Sequence, residues 1–219
     1  MYICGSVCKC YFVILPKYTR LLMIKRKEIN GKQLMLGFHT QSWTAKTLNA
    51  PICCNYRNAW LGRGYYFWLD KEIAKYWGED FKKGKNRDGY YNIYHAWLDT
   101  ENCLNTTFDE EHYYFFCEKI TETIAFLAKN NQNGHDLNLK RVHEYLAEKY
   151  WIPMGITGII YDDLPSNSSF NIGRKHSNIS YEENRKTQYF YYKKRIQIVL
   201  FQQADIHEFG INDEDIECS

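Results

Sequence analysis

Three short segments concentrate the side chains able to do chemistry. Gly37-Phe38-His39-Thr40 ends an apolar run on an imidazole, and Leu61-Gly62-Arg63-Gly64-Tyr65-Tyr66-Phe67 sets aromatic residues behind a glycine-led turn. Gln197-Ile198-Val199-Leu200-Phe201 opens an alternating stretch on a carboxamide, and a shorter run, Ala74-Lys75-Tyr76, follows the second segment. A carboxamide accepts and donates hydrogen bonds without charge, and aromatic faces stack on planar ligands. Each residue also has an ordinary role. His39 reads as a hydrogen-bonded histidine at a strand end, Tyr65, Tyr66 and Tyr76 as core or rim aromatics, and Gln197 as a solvent-facing strand residue.

Other chemistries lack their residues. There is no G-x-x-x-x-G-K-[ST] phosphate loop, His-Glu-x-x-His or G-x-S-x-G. Gly62-Arg63-Gly64 precedes an apparent strand instead of following one and opening a helix, so the dinucleotide fold of that motif is not expected. Cys4, Cys8 and Cys10 form no Cys-x-x-Cys pair, and His95, His112, His135, His143, His176 and His207 show no ligand spacing. No metal is expected. Free thiols in a reducing compartment are, with Cys53-Cys54 read as a buried pair of small side chains.

The elements that must position these segments follow from periodicity. Leu34 to Phe38 reads as a strand, Gln41 to Asn58 with Pro51 as a short helix and loop, and Tyr65 to Trp68 as a strand. Asp70 caps a helix from Lys71 to Trp77 whose face is Ile73, Tyr76 and Trp77. Residues 81 to 89 read as an exposed basic loop, Tyr91 to Leu98 as a strand and Asp99 to Asp109 as a loop. Ile120, Ile124, Leu127 and Ala128 recur at helical spacing, as do Leu139, Val142, Leu146 and Tyr150 before Pro153, with a turn at 130 to 134 between them. Gly158 to Tyr161 and Arg195 to Phe201 read as strands, and 165 to 188 as a long polar excursion. Strands at both ends with helices between them make an α+β domain.

At 219 residues the chain suits one core, with residues 1–34 an extension of uncertain role and 35–219 a single domain. Met23 or Met35 is an alternative start. Lys9, Pro16, Lys17 and Arg20 interrupt the apolar N-terminal stretch, so neither a membrane span nor a signal peptide is expected, and a cytoplasmic location is. The net charge is only +2, but residues 1–100 carry +9 and residues 101–219 carry −7. A basic first half suits an anionic ligand such as a dinucleotide or nucleic acid, as do residues 82–87 and Lys193-Lys194-Arg195.

In their order and strand context the segments resemble the poly(ADP-ribose) polymerase-like, diphtheria-toxin-type ADP-ribosyltransferases. In that family a His follows the first core strand, a Tyr lies in a G-x-Y-F strand, and a Glu opens a late strand. His39, Tyr66 and Gln197 hold those positions, and Ala74-Lys75-Tyr76 is similar to the family's Ala-x-Tyr. The resemblance spans residues 37 to 206. It implies an ADP-ribosyltransferase-like fold, a split mixed or antiparallel β-sheet core with flanking helices. It also implies NAD as substrate without a metal, release of nicotinamide, and single transfer of ADP-ribose to a macromolecular acceptor, protein or nucleic acid, as in a toxin or effector.

The resemblance implies catalytic roles for His39, Tyr66 and Gln197, and an NAD site of His39, Thr40, Tyr66 and Tyr76. The tyrosines would sandwich the nicotinamide, His39 would orient the ribose and the Thr40 backbone would hold the carboxamide. A group at 197 would bond the 2′-hydroxyl as positive charge develops on the sugar. Three positions depart from the family. Gln197 replaces Glu and cannot act as a base, so iterative chain building is not expected. Thr40 replaces Gly, and Ile73 replaces a Ser that contacts the carboxamide. The alternative is an inactive NAD- or ADP-ribose-binding module of the same fold. An NAD-dependent RNA 2′-phosphotransferase lacks the second His and paired Arg it would need.

Overall fold

Eleven residues, Lys32–Ser42, form the longest strand, β2, around which the other strands assemble. Asn30 and Gly31, with φ of 52° and 79°, turn β1 (Arg26–Ile29) back onto its first half. Asn-Gly suits a two-residue hairpin turn because both central residues need positive φ. This computed structural model describes residues 24–43, 46–55, 59, 61–82, 90–130, 139–163 and 195–211. The turn at 131–134, the excursion at 165–188, Lys193-Lys194, and the basic run beyond Lys82 lie outside the described residues.

The remaining strands are β3 (Tyr65–Trp68), β4 (Tyr91–Asp99), β5 (Cys103–Asn105), β6 (Gly158–Asp162), β7 (Ile196–Leu200) and β8 (Ile206–Gly210). They lie in the order β5-β6-β7-β3-β2-β4-β8, with β5 and β6 parallel and the other pairs antiparallel. The protein is therefore α+β with an open mixed sheet. β4 occupies one edge of β2 from Leu34 to Ser42, so β1 and β3 share the other. β3 meets β2 at a single register pair, Phe38 opposite Trp68.

Three helices cover one face of the sheet. Asp70 Oδ1 accepts the Glu72 N–H at 2.8 Å and starts α1 (Lys71–Lys82), which packs Ile73, Ala74, Tyr76 and Trp77 with Trp68, Ile93 and Phe38. α2 (Glu110–Asn130) and α3 (Leu139–Leu146) cover the β5-β6-β7-β3 half, burying Phe116, Leu127, Val142 and Leu146 against Leu104, Ile159 and Val199. α3 runs on into a π-helical turn, Ala147–Trp151, which ends before Pro153. The opposite face buries Phe67, Ala96, Leu98, Ile160, Ile198 and Leu200. Each such large apolar side chain contributes roughly 1.5–3 kcal/mol on burial.

Four expectations need correction. Residues 46–55 hold no helix; Pro51 lacks the N–H a helix interior needs, and Cys54 instead bridges Gly64. The expected loop at 99–109 contains β5, a three-residue strand whose partner β6 lies more than 50 residues away in sequence, so no local pattern announces it. α2 begins at Glu110, where Asp109 Oδ1 caps the His112 N–H at 2.9 Å, and its inner face is Phe116, Ile120, Thr123 and Leu127. Ile124 and Ala128 point outward. The line drawn between residues 34 and 35 falls inside β2, and Leu34 is buried. Among the described residues no helix is long and apolar enough to cross a membrane.

Candidate functional site

Beyond Phe38 the ladder between β2 and β3 stops, and the next residue fills the gap with its side chain. His39 Nδ1 lies 2.8 Å from the carbonyl oxygen of Tyr66, so the imidazole takes the place of a backbone donor. A carbonyl can only accept, so Nδ1 carries the proton. Only 5% of His39 is exposed, and burial holds its pKa below the usual histidine value against the opposing pull of the Tyr66 carbonyl and the Gln41 side chain. The ring is therefore neutral and Nε2 keeps its lone pair. That atom is buried, and although the Gln41 side chain is near enough to act on the ring, no partner lies within hydrogen-bonding geometry of Nε2. Phe67 and Phe209 lie against the ring, with centroids at 5.5 and 6.1 Å.

The glycines upstream of Tyr66 explain how β3 reaches this point. Gly62 has a φ of +87°, and a Cβ on Gly64 would lie 2.5 Å from Val199 Cγ2 and 2.8 Å from the Leu200 carbonyl oxygen. The tight start lets the Tyr66 hydroxyl fold back and donate to Gly62 O at 2.6 Å. Burial raises the phenol pKa, in keeping with a protonated donor.

Gln197 stands two strands from β2. Register aligns Tyr161, Gln197, Trp68 and Phe38 across β6, β7, β3 and β2, which puts the Gln197 backbone about 10 Å from that of Phe38. The expected solvent-facing residue is instead buried, at 5% exposure, and its Oε1 has no partner. Two of the three expected catalytic residues thus carry buried polar atoms without partners, a condition costing about 1–3 kcal/mol each unless a ligand or water satisfies it.

Thr40 spends its hydroxyl on α1, donating to Ala74 O at 2.7 Å, and so ties the residue after His39 to the helix that carries Tyr76. Tyr66 and Tyr76 pack in different clusters, the first with Leu61, Val199 and the α2–α3 residues, the second with Trp68, Ile73 and Ile93. The structure joins His39 to Tyr66 and Thr40 to α1. It sets Gln197 in the adjoining row, with its side chain on the opposite face of the sheet from that of His39, and keeps the two tyrosines in separate clusters.

Trp68 and Tyr161, the cross-strand neighbours of Gln197, were not legible as site residues, because only the pairing of β3, β6 and β7 brings them there. Among the described residues no group of three or more His, Cys, Asp and Glu is placed to hold a metal ion. Cys53, Cys54, Cys103 and Cys117 are free thiols, and burial pushes that of Cys103 up to about 12, which makes it unreactive. No protein-family model, curated protein or solved structure matches the chain.

Proposed function

We propose that the chain is an NAD-dependent mono(ADP-ribosyl)transferase of ADP-ribosyltransferase-like fold, releasing nicotinamide and modifying a macromolecular acceptor. The observation that carries this reading is the His39 ring, set in the gap where β2 and β3 part, with Nδ1 committed to Tyr66 and Nε2 left as a buried acceptor. A ribose hydroxyl is a donor that fits it. The parting of two strands on one edge of β2 also supports a split sheet; β2, β3 and β7 are neighbours, with the side chains of Tyr66 and Gln197 on one face of the sheet and that of His39 on the other. In this reading His39 Nε2 accepts a ribose hydroxyl as the glycosidic bond lengthens, and the aromatic faces beside it hold the nicotinamide.

The test is nicotinamide release from NAD by purified protein, with and without cell lysate, for wild type, His39→Ala and Tyr66→Ala. Wild type is expected to release nicotinamide, and His39→Ala to lose about 100-fold or more, the scale of one well-placed polar group in a transition state. Equal release by all three proteins, or none by wild type, contradicts the proposal. The uncharged Gln197 favours a second reading, an inactive NAD- or ADP-ribose-binding module, which predicts a raised melting temperature with NAD and no release.

A further inference from the structure

On the helix-bearing face of the sheet, the layer of helices parts above Gln197. Register sets Tyr161 and Trp68 on either side of it, their backbones roughly 10 Å apart. Trp68 packs under α1, with the Trp77 ring at 6.0 Å, and Tyr161 under α2, with the Phe116 ring at 5.7 Å. Gln197 therefore stands at the floor of a seam between two helices, and its buried Oε1 meets no donor from either. Two residues back along β7, on the same face, Arg195 Nε is also buried without a partner. The Arg195 guanidinium centre lies 5.5 Å from the Trp68 ring, and its Nη2 is 3.0 Å from Asp163 Oδ2, so the two charges cancel. The side chains of this pair are 17% and 21% exposed and Tyr161 is half-buried, so the seam opens along them while Gln197 and Trp68 lie beneath.

We propose that this seam is a binding site for a nucleobase that carries an amino group beside a ring nitrogen, as adenine and cytosine do. A carboxamide presents an acceptor and a donor side by side, so Gln197 Oε1 takes the amino hydrogen while its Nε2 donates to the ring nitrogen. Tyr161 and Trp68 flank the base with aromatic surface, and Arg195 Nε offers a further donor. Because Asp163 balances Arg195, a neutral base enters without leaving either charge buried alone. Buried polar atoms without partners cost stability until a ligand meets them, and two of them on one strand face define an edge for a planar polar molecule. The site is separate from His39, whose side chain lies on the other face of the sheet, and it does not depend on NAD turnover.

The experiment titrates the full chain with 9-methyladenine and 1-methylcytosine, bases without a ribose to satisfy His39, and follows the nitrogen NMR signals of the Gln197 carboxamide, Arg195 Nε and the His39 ring. The Gln197 and Arg195 signals are expected to move on saturation while those of His39 stay fixed. The analogue 9-methylpurine, which lacks the amino group, and the variant Gln197→Leu, which lacks the carboxamide, are each expected to weaken binding about tenfold or more, the scale of one bidentate pair. Should Gln197→Leu fail to fold, the comparison of 9-methyladenine with 9-methylpurine on wild type decides alone. Equal affinity for those two, or no binding of either amino-bearing base, overturns the proposal, as does binding that moves His39 and leaves Gln197 fixed. Competition by adenosine monophosphate assigns the base to a free nucleotide, and competition by single-stranded oligoadenylate alone assigns it to a strand; competition by neither overturns the proposal. Wild type that binds the bases yet neither binds NAD nor releases nicotinamide overturns the reading at His39 and leaves this site standing.

Discussion

His39 and His143 are both almost fully buried, and burial lowers the pKa of both, yet their surroundings differ in kind. His143 lies in the contact of α2 and α3, its ring stacked on Phe116 at 5.7 Å inside an apolar cluster, and its pKa falls to about 4. His39 stands where two strands part, one nitrogen bound to a backbone carbonyl and the other held ready inside the fold. The first histidine fills space between helices. The second replaces a missing ladder bond. Burial alone does not tell a histidine that packs from one that stands in for a backbone donor; the Tyr66 carbonyl at His39 Nδ1 does.

The largest expected effect separates the two regions by stability. Trp151, fully buried beside Phe116, belongs to the His143 region, and Trp151→Ala should cost about 3–5 kcal/mol in chemical denaturation. NAD binding by the surviving folded protein should be unchanged, because His39 faces away from Trp151 across the sheet; a loss of affinity that outlasts correction for unfolded protein would put the site on the face of Tyr66, which shares the Trp151 cluster.

A smaller effect is expected from acid. Both histidines are neutral when folded and have depressed pKa values, so the unfolded chain binds protons that the folded chain does not. Their contribution is full above about pH 6.5 and is lost as pH falls below the unfolded value; for His143 the loss runs toward about 4 and amounts to about 3 kcal/mol. The urea midpoints of wild type and His143→Gln, compared at pH 7 and pH 4.5, should show a shallower acid loss in the variant. Parallel curves would contradict the buried, neutral assignment.

Much of this arrangement was legible in the sequence, for identifiable reasons. β3, β4, β6 and β7 announced themselves through aromatic or β-branched runs bounded by turns, and α1 through Asp70 and its apolar stripe. β1 was hidden because Arg26-Lys27-Glu28-Ile29 is mostly charged and exposed; its only local signal is Asn30-Gly31. β5 has three residues, and its identity comes from a partner distant in sequence. The rotation of α2 was obscured because Tyr113, Tyr114, Phe126 and Ile124 put large apolar side chains on its exposed side. At the site, His39, Thr40, Tyr66, Tyr76 and Gln197 were nameable one by one. The burial of Gln197 and the presence of Asp163, Trp68 and Tyr161 beside it depend on strand register, which no local pattern specifies.

The central claim is that His39 Nε2 is an unprotonated, buried acceptor awaiting a hydroxyl donor, and nitrogen NMR of the histidine rings during titration with NAD tests it most directly. His39 is expected to carry its proton on Nδ1, and its Nε2 resonance to move as it accepts a ribose hydroxyl while those of His143 stay fixed. A His39 protonated on Nε2, or a spectrum in which saturating NAD moves neither histidine, would contradict it.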